Sequence, residues 1–558
     1  MRICALCLVS SFLGQLVSGE SAKQPVYVYL YSRLDDHVNF NTTQERFRRE
    51  LAMLDRYRNE HPESGISALL QFTGAASQML VDFNRTAGMV DDVLSHVRKG
   101  VIEVGYDGSG EPTYFTWPRP NFRSAKTARD RWLARGEAAD WFLTEYKAPI
   151  TGEPDPNRPG GLKRTQEVFG EVASITGVVP WDLGGDTEIV HQIRRQNGNA
   201  IMAGFPESNT WPARNIHGYG GSVEGVSLLV SPGPDFAPEI FWQDNFLRSS
   251  NTSGPNVHVL STHAGPDVVR KMLQGLDRSR IHVIRLELGN IEMYLKPDFN
   301  KGLLDPVRFA YDNPKSMVLP PDAVRPQEEI EAAYRREEDV MRWLVSDFFP
   351  ANAGSRFISS ADLRRMAKTM VGTAIPRETL AKAAASLLAD WKLTANHPPD
   401  FGRADGEYFS LADMFQMLAT ALAEFNRTGS LPRSVDLVPV YGPEDFDQNQ
   451  GPSQGAVTVA SVAKACARFS AILNNDTWKP FPDNIVPARI MVDGINLNAA
   501  QFLHLMAEAF SAPSSERKLN VTTCQMSHEP ALEYPRTRQL SEEGAMWTIK
   551  PARLRNLE

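Results

Sequence analysis

The chain has 558 residues, 42% of them hydrophobic and 23% charged, and a formal net charge of −8. That is ordinary globular composition with material for two or three domains, and the acidic balance gives no basic surplus for nucleic acid or anionic lipid. Four cysteines are too few and too scattered for a disulfide scaffold or a zinc cluster, and past the first residues no stretch is long and apolar enough to span a bilayer.

At the start of the chain Arg2 precedes an apolar run, Ile3 to Val17, followed by Ser18 and Gly19. This pattern reads as a secretory signal peptide over residues 1–19, and implies a secreted, periplasmic or cell-surface protein. Cys4 and Cys7 would leave with it, so that Cys466 and Cys524 remain and could form one disulfide. Val26, Val28 and Leu30 then alternate as in a strand and deliver Asp35, Asp36 and His37 into a turn. Loops at the carboxyl ends of parallel strands are where α/β folds carry their chemistry; a solvated turn closing a first βα unit is the structural alternative.

A helix over Thr43 to Glu60 follows, with Phe47, Leu51, Leu54 and Tyr57 at helical spacing. A strand from Ile66 to Phe72 runs into Thr73-Gly74-Ala75, a helix covers Met89 to Arg98, and a strand from Val101 to Val104 leads into a loop holding Asp107 and Glu111. Strand and helix alternate at a pace that predicts βα units around a parallel sheet.

These segments resemble the opening of the polysaccharide deacetylase family, the NodB-like carbohydrate esterases: an Asp pair after the first strand, a strand into Thr73-Gly74-Ala75, then Lys99-Gly100-Val-Ile-Glu-Val-Gly105. The resemblance implies that Asp35 is the general base and Asp36 a metal ligand. The family's two histidine ligands fall on Asp107 and Glu111, so the set becomes three carboxylates. Two imidazoles with a carboxylate suit zinc, whereas three carboxylates suit Mg, Mn or Ca. The expected cofactor is therefore a divalent cation, with His37 as a further nitrogen donor beside the pair. Carboxylates at loop ends also cap helices, which is the structural alternative.

Farther on, Trp117, Trp132, Trp141 and Tyr146 suit either stacking on sugar rings or core packing, and a helical piece is expected near Ala125 to Tyr146. Arg119, in Pro118-Arg119-Pro120, resembles the family's Arg-Pro motif, in which the arginine orients the catalytic aspartate. Residues 164–204 read as helix, loop (Trp181 to Asp186) and helix, and glycine-rich Asn215 to Gly221 reads as a loop. The strand Asn256 to Thr262 ends at His263, which resembles the family's late Leu-x-x-His motif and would be the general acid. A strand from Ile281 to Leu288 and a helix from Gln327 to Phe349 complete an irregular (β/α) barrel of the glycoside hydrolase/deacetylase type over residues 24–350.

Residues 375–510 change to alanine-rich amphipathic helices and contain a duplication. The stripe Leu411, Met414, Phe415, Leu418 and Leu422 recurs 88 residues later as Ala499, Phe502, Leu503, Met506 and Phe510. Ser410 with Asp413, and Asn498 with Gln501, have the spacing of helix caps. Short extended pieces are expected at Leu431 to Val435 and Val486 to Ile490, with Pro398-Pro399-Asp400 as the first copy's counterpart of the latter. The second copy resembles the pseudomurein-binding repeat, which implies an α-helical wall-attachment module; an ordinary helical bundle is the alternative. The tail, 511–558, reads as structural or disordered.

The fold expected is thus α/β, a deacetylase-like barrel followed by an α-helical repeat domain. The function implied is metal-dependent de-N- or de-O-acetylation of a cell-wall or extracellular polysaccharide, with no nucleic-acid partner and no integral membrane segment. A surface carbohydrate-binding protein without catalysis, and a metal-independent glycoside hydrolase using Asp35 with Asp107 or Glu111, are the other readings.

Overall fold

A computed structural model describes most of residues 23–107, 154–176, 266–296, 324–443, 451–473, 486–526 and 547–557, with short strands at 145–147, 201–202, 227–232 and 238–243. Six strands form one parallel sheet: β1 (Val26–Leu34), β2 (Ala68–Phe72), β3 (Ile102–Asp107), β4 (Ser174–Thr176), β5 (His282–Glu287) and β6 (Arg356–Phe357). Their order is β5-β1-β2-β3-β4. β6 pairs with Tyr27 and Val28, below the point where β2 takes over at Leu30. Chain neighbours lie side by side and the late strand β5 lies beside the first. Among the described residues the sheet is open between β4 and β5.

The apolar residues at helical spacing do what their periodicity requires. In α1 (Phe40–Glu60), Phe47, Leu51, Leu54 and Tyr57 are all buried. Phe47 meets Phe72 of β2 at 5.7 Å between ring centres, and Phe72 meets Phe169 of α3 (Gly161–Phe169) at 4.5 Å. Helix α2 (Met89–Arg98) follows Gly88, whose left-handed backbone (φ 65°) suits glycine. Helix α4 (Pro266–Gln274) packs through Arg270 on Trp343, the last residue of α5 (Gln327–Trp343). A π-helical turn, Leu344–Phe348, prolongs α5 toward β6 and α6 (Ser360–Met366).

Two stretches at the ends of expected helices are strands. Glu145–Lys147 pairs antiparallel with Pro154–Pro159 instead of ending a helix, since Pro149 just beyond cannot continue one. Ile201–Met202, at the end of the second expected helix, pairs with Pro238–Gln243, and the residues before it lie outside the described ones.

From residue 374 one order of elements occurs twice. The first runs β7 (Ala374–Pro376), α7 (Arg377–Trp391), β8 (Gly402–Ala404), β9 (Glu407–Phe409), α8 (Leu411–Thr428) and β10 (Ser434–Asp436). The second runs β11 (Gln454–Thr458), α9 (Val459–Leu473), β12 (Arg489–Val492), β13 (Ile495–Asn498), α10 (Ala499–Ser511) and β14 (Lys518–Thr522). In each, the outer strands pair antiparallel and the middle two form a hairpin. Both hairpins turn on Asp-Gly in the left-handed region, at φ 54° and 81° for Asp405-Gly406 and 48° and 80° for Asp493-Gly494. The extended piece expected at Pro398 to Asp400 is in fact the hairpin beginning at Gly402, and its counterpart begins at Arg489 rather than Val486. Both capping boxes form, Ser410 with Asp413 and Asn498 with Gln501. Cys466 and Cys524 are both buried and unbridged, so no disulfide joins them.

The residues near 550 bind both cores together. Trp547 is fully buried in the second core and its indole N–H donates to the Met526 carbonyl at 2.9 Å. Lys550 Nζ donates to Asp413 Oδ2 at 2.5 Å, both groups almost fully buried, while its backbone pairs with Val230. Leu554 and Leu557 then pack on the first core, and the Leu557 amide donates to the Tyr27 hydroxyl at 3.4 Å.

A buried ion pair that loses one partner leaves the other charge stranded. Lys550→Met is therefore expected to lower stability by roughly 3–5 kcal/mol, read by urea denaturation followed by circular dichroism, and adding Asp413→Asn is expected to recover most of the loss.

Candidate functional site

The register divides the sheet into two chemically different faces. Val28, Leu30, Leu70 and Phe72 face the layer containing α1 and α3. The opposite face carries Tyr27, Tyr29 and Tyr31 of β1, aligned with Glu287 of β5, Leu69 and Gln71 of β2, and Glu103 and Gly105 of β3. On this face Glu103 stands in the same row as Leu69, Tyr31 and Glu287, and α6 covers it. There Ser360, at the start of α6, gives its backbone N–H to Glu103 Oε2 at 2.7 Å and its hydroxyl lies 2.8 Å from that of Tyr29. Tyr31 and Glu287 in that row and Gln71 two residues farther along β2 are all buried, with the Tyr31 hydroxyl donating to Glu287 Oε2 at 2.7 Å. A phenol bonded to a carboxylate is a strong, charge-assisted pair that fixes the carboxylate's orientation. Neither amide atom of Gln71 has a hydrogen-bond partner among the described residues.

Sequence reasoning passed over Glu287 and Gln71. Glu287 stands in the strand His282–Glu287, where an acidic residue reads as the solvated side of an alternating strand. The available signal was that parallel strands are covered on both faces, so a carboxylate near such a strand's carboxyl end is buried chemistry rather than surface.

Of the residues expected to act, Asp107 is the last of β3, its backbone paired with Thr176. Asp35, Asp36, Glu111, Arg119 and His263 lie outside the described residues, as do residues 1–19, His37, the indoles at 117, 132 and 141, the loops at 181–186 and 215–221, and the strand expected at 256–262. The register nonetheless brings their strands together: β1 and β3, which lead to Asp35 and Glu111, flank β2 and end on the rim that carries Gln71. No group of three His, Cys, Asp or Glu side chains among the described residues could hold a metal ion.

A second polar cluster lies between the sheet and the helices. α1 and α5 run side by side in the same direction, joined by Arg49 to Glu331 (2.8 and 3.1 Å), by Arg56 to Glu338, and by the Tyr57 hydroxyl to Glu338 at 2.8 Å. Beneath them Arg46 Nε lies 3.8 Å from Glu50 Oε1, the Ser32 hydroxyl donates to the Gly289 carbonyl at 3.1 Å, and the Tyr294 and Tyr334 hydroxyls bond each other. A Cβ on Gly289 would lie 2.0 Å from Met293 Sδ and 3.2 Å from Glu50 Oε1, so a larger residue here would have to displace the Met293 side chain. Burial pushes the Glu337 carboxyl up to about 8, against the pull of Arg46. This cluster sits beneath the helices on the far side of the sheet from Glu287 and reads as architecture.

No family model matches the chain, and no curated protein matches it in sequence. Among solved structures it is similar to a 4-alpha-glucanotransferase from Thermococcus litoralis, with 12% identity and a TM-score of 0.32, over 66% of this chain and 46% of that one. It is also similar to an alpha-mannosidase from Enterococcus faecalis V583, with 13% identity and a TM-score of 0.27, over 74% of this chain and 36% of that one. The chain thus spans less than half the length of either enzyme, and both scores lie below the level at which two chains share a fold.

Glu337 makes stability depend on pH in a defined direction. Its carboxyl is neutral in the fold while the unfolded chain ionises above the ordinary value of 4.5, so its contribution is complete below 4.5 and is lost as pH rises toward 8. Thermal melts from pH 5 to 8 are expected to show this decline in the native chain and a flatter profile in Glu337→Gln.

Proposed function

We propose that the chain is an exported carbohydrate-active hydrolase whose reacting centre lies at the carboxyl ends of β1, β2, β3 and β5. One observation supports this above the others: on the polar face of a parallel sheet, a tyrosine-held carboxylate (Glu287) and an unsatisfied amide (Gln71) stand at the rim that β1 and β3 also reach. Buried polar groups of this kind are costly in a core and are retained where they meet a ligand.

The reaction we assign is removal of an N- or O-acetyl group from a cell-wall or extracellular polysaccharide. Asp35 takes the proton of the attacking water, Arg119 orients Asp35, and His263 protonates the departing amine or alcohol. Asp36, Asp107 and Glu111 are an all-oxygen donor set that fits a hard divalent cation, and a cation bound there would polarise the acyl carbonyl and acidify water. Glu287 favours a second reading, a metal-independent glycoside hydrolase in which it is one of two carboxylates flanking the scissile bond, with Asp35 or Asp107 as the other.

The twice-occurring helical unit is assigned to wall attachment. A cleft of about 690 Å³ between α8, β10 and Ala467 of α9 offers Glu424, Asn426, Arg427, Ser434 and Asp436 to a polymer.

Acetate and reducing ends released from acetylated glycans, with and without chelator, separate the two reactions. The leading assignment expects chelator-sensitive acetate release that falls at least about 100-fold in Asp35→Asn and is lost in Asp36→Ala. Chelator-insensitive reducing ends that vanish in Glu287→Gln instead select the second reading, and neither product removes both.

A further inference from the structure

The twice-occurring unit departs from its own plan at one place. α8 has 18 residues and α10 has 13. With the two helices aligned on their caps, Ser410 and Asn498, the end of α10 at Ser511 matches Ala423, so Glu424 to Thr428 are an added turn of α8. That turn is one wall of the cleft of about 690 Å³, to which it contributes Glu424, Asn426 and Arg427; Ser434 and Asp436 of β10 and Ala467 of α9 line it as well. The volume is that of small-molecule sites, about 300–1,000 Å³, and Asn426, Arg427, Ser434 and Asp436 are all exposed, so a ligand reaches them from solvent. The charges differ between the copies too. Counting back from the helix that follows, β7 pairs Pro376 with Ser434 and Ala374 with Asp436, whereas β11 pairs Thr458 with Lys518 and Ala456 with Asn520. The second copy therefore carries a cation and a neutral amide where the first carries a hydroxyl and a carboxylate. All four side chains are exposed, so packing of the core does not impose the difference.

Within the cleft the charges do not balance. Arg427 forks onto Glu424, Nε donating to Oε2 at 2.9 Å and Nη2 to Oε1, and these bonds hold the Glu424 carboxyl below its ordinary value. That pair is neutral as a whole. Asp436 meets no cation among the described residues: β7 sets Ala374 beside it, and its backbone carbonyl takes the Gln416 side-chain amide at 3.0 Å. The cleft thus presents one uncompensated carboxylate, set among hydroxyl, amide and guanidinium groups of the kind that hydrogen-bond sugar hydroxyls. An ammonium group answers such a carboxylate with a charge-assisted hydrogen bond, which a neutral acetamide cannot supply. A hexosamine with a free amine carries that ammonium beside ring hydroxyls; a hexose or an N-acetylated hexosamine carries the hydroxyls without it.

We infer that this cleft binds a glycan bearing free amino groups, with Asp436 accepting from the ammonium. The inference rests on the assignment of the helical unit to wall attachment and adds to it the group selected and the residue that selects it. Removal of N-acetyl groups, the reaction assigned above, is the class of reaction that creates such an amine, so the attachment unit holds the chain to stretches of polymer already worked on.

The test uses the full chain and short oligomers of glucosamine and of galactosamine, each fully N-acetylated or with free amines. Binding is followed by calorimetry at about pH 6, below the ordinary range of α-amino groups, so that the amines are charged. The native chain is expected to bind at least one free-amine series, and to bind it more weakly as salt rises, because an exposed ion pair is screened. Asp436→Asn installs the residue that the second copy carries at this register. It is expected to lower free-amine affinity about fivefold, the factor that one exposed ion pair supplies, while affinity for the acetylated oligomers and the melting temperature stay those of the native chain. Free-amine affinity that is indifferent to salt, that is unchanged in Asp436→Asn, or that falls there together with affinity for the acetylated series overturns the inference and leaves wall attachment standing. Binding of the acetylated series alone does the same. Oligolysine bound as tightly as the free-amine sugars overturns it in favour of a peptide partner. If neither sugar series binds, the wall-attachment assignment and the inference fall together.

Discussion

Everything in the first half of the molecule depends on β1 having no free edge and no free face. One edge belongs to β5, and the other is shared by β6 below and β2 above. On one side Val26, Val28 and Leu30 meet the helical layer; on the other Tyr27, Tyr29 and Tyr31 follow one another. A buried phenol needs a hydrogen-bond partner, and each of these finds one from a different part of the chain: Tyr27 from the Leu557 amide, Tyr29 from Ser360, Tyr31 from Glu287. The three hydroxyls follow one another along the face. A single strand thus fixes how α6, the segment near 557 and Glu287 stand with respect to one another.

The second half shows one architecture held by two chemistries. In α8 the cap residue Asp413 is ionic and completely buried, and Lys550 neutralises it. At the equivalent place in α10, Gln501 is neutral and gives its amide to the carbonyls of Pro452 and Thr522, while Asn498 gives its own to the Cys524 carbonyl. Both arrangements satisfy the helix start and bond outward to neighbouring chain. Only the first needs a charge brought from more than a hundred residues away.

These differences explain what could be read in advance. Long periodic segments such as Phe47 to Tyr57, and the stripe shared by Leu411 to Leu422 and Ala499 to Phe510, announce their elements because burial of one face imposes the period. The Asp-Gly hairpins carry an equally local signal in both copies, yet the prolines at 398 and 399 drew attention to the wrong residues. β6 is two residues long and α6 seven, too short for any period to show. The role of Tyr29, Tyr31, Gln71 and Glu287 depends on which face of a sheet turns toward Ser360, a relation that neighbours in sequence do not encode. Asp35, Asp36 and Asp107 were legible as residues at strand ends. The order of the strands that lead to them is not encoded locally, and the parallel pairing of β1, β2 and β3 supplies it.

The bond between the Leu557 amide and the Tyr27 hydroxyl joins residues 530 positions apart. On a ribosome adding about 5–20 residues per second, roughly half a minute to two minutes separate the synthesis of these two groups. During that interval β1 lacks the chain that covers its lowest tyrosine, and for the last 137 residues of it the Asp413 carboxylate lacks its lysine. A chain cut short before Trp547 therefore lacks a buried member of the second core, the lysine that meets Asp413 and the amide that meets Tyr27.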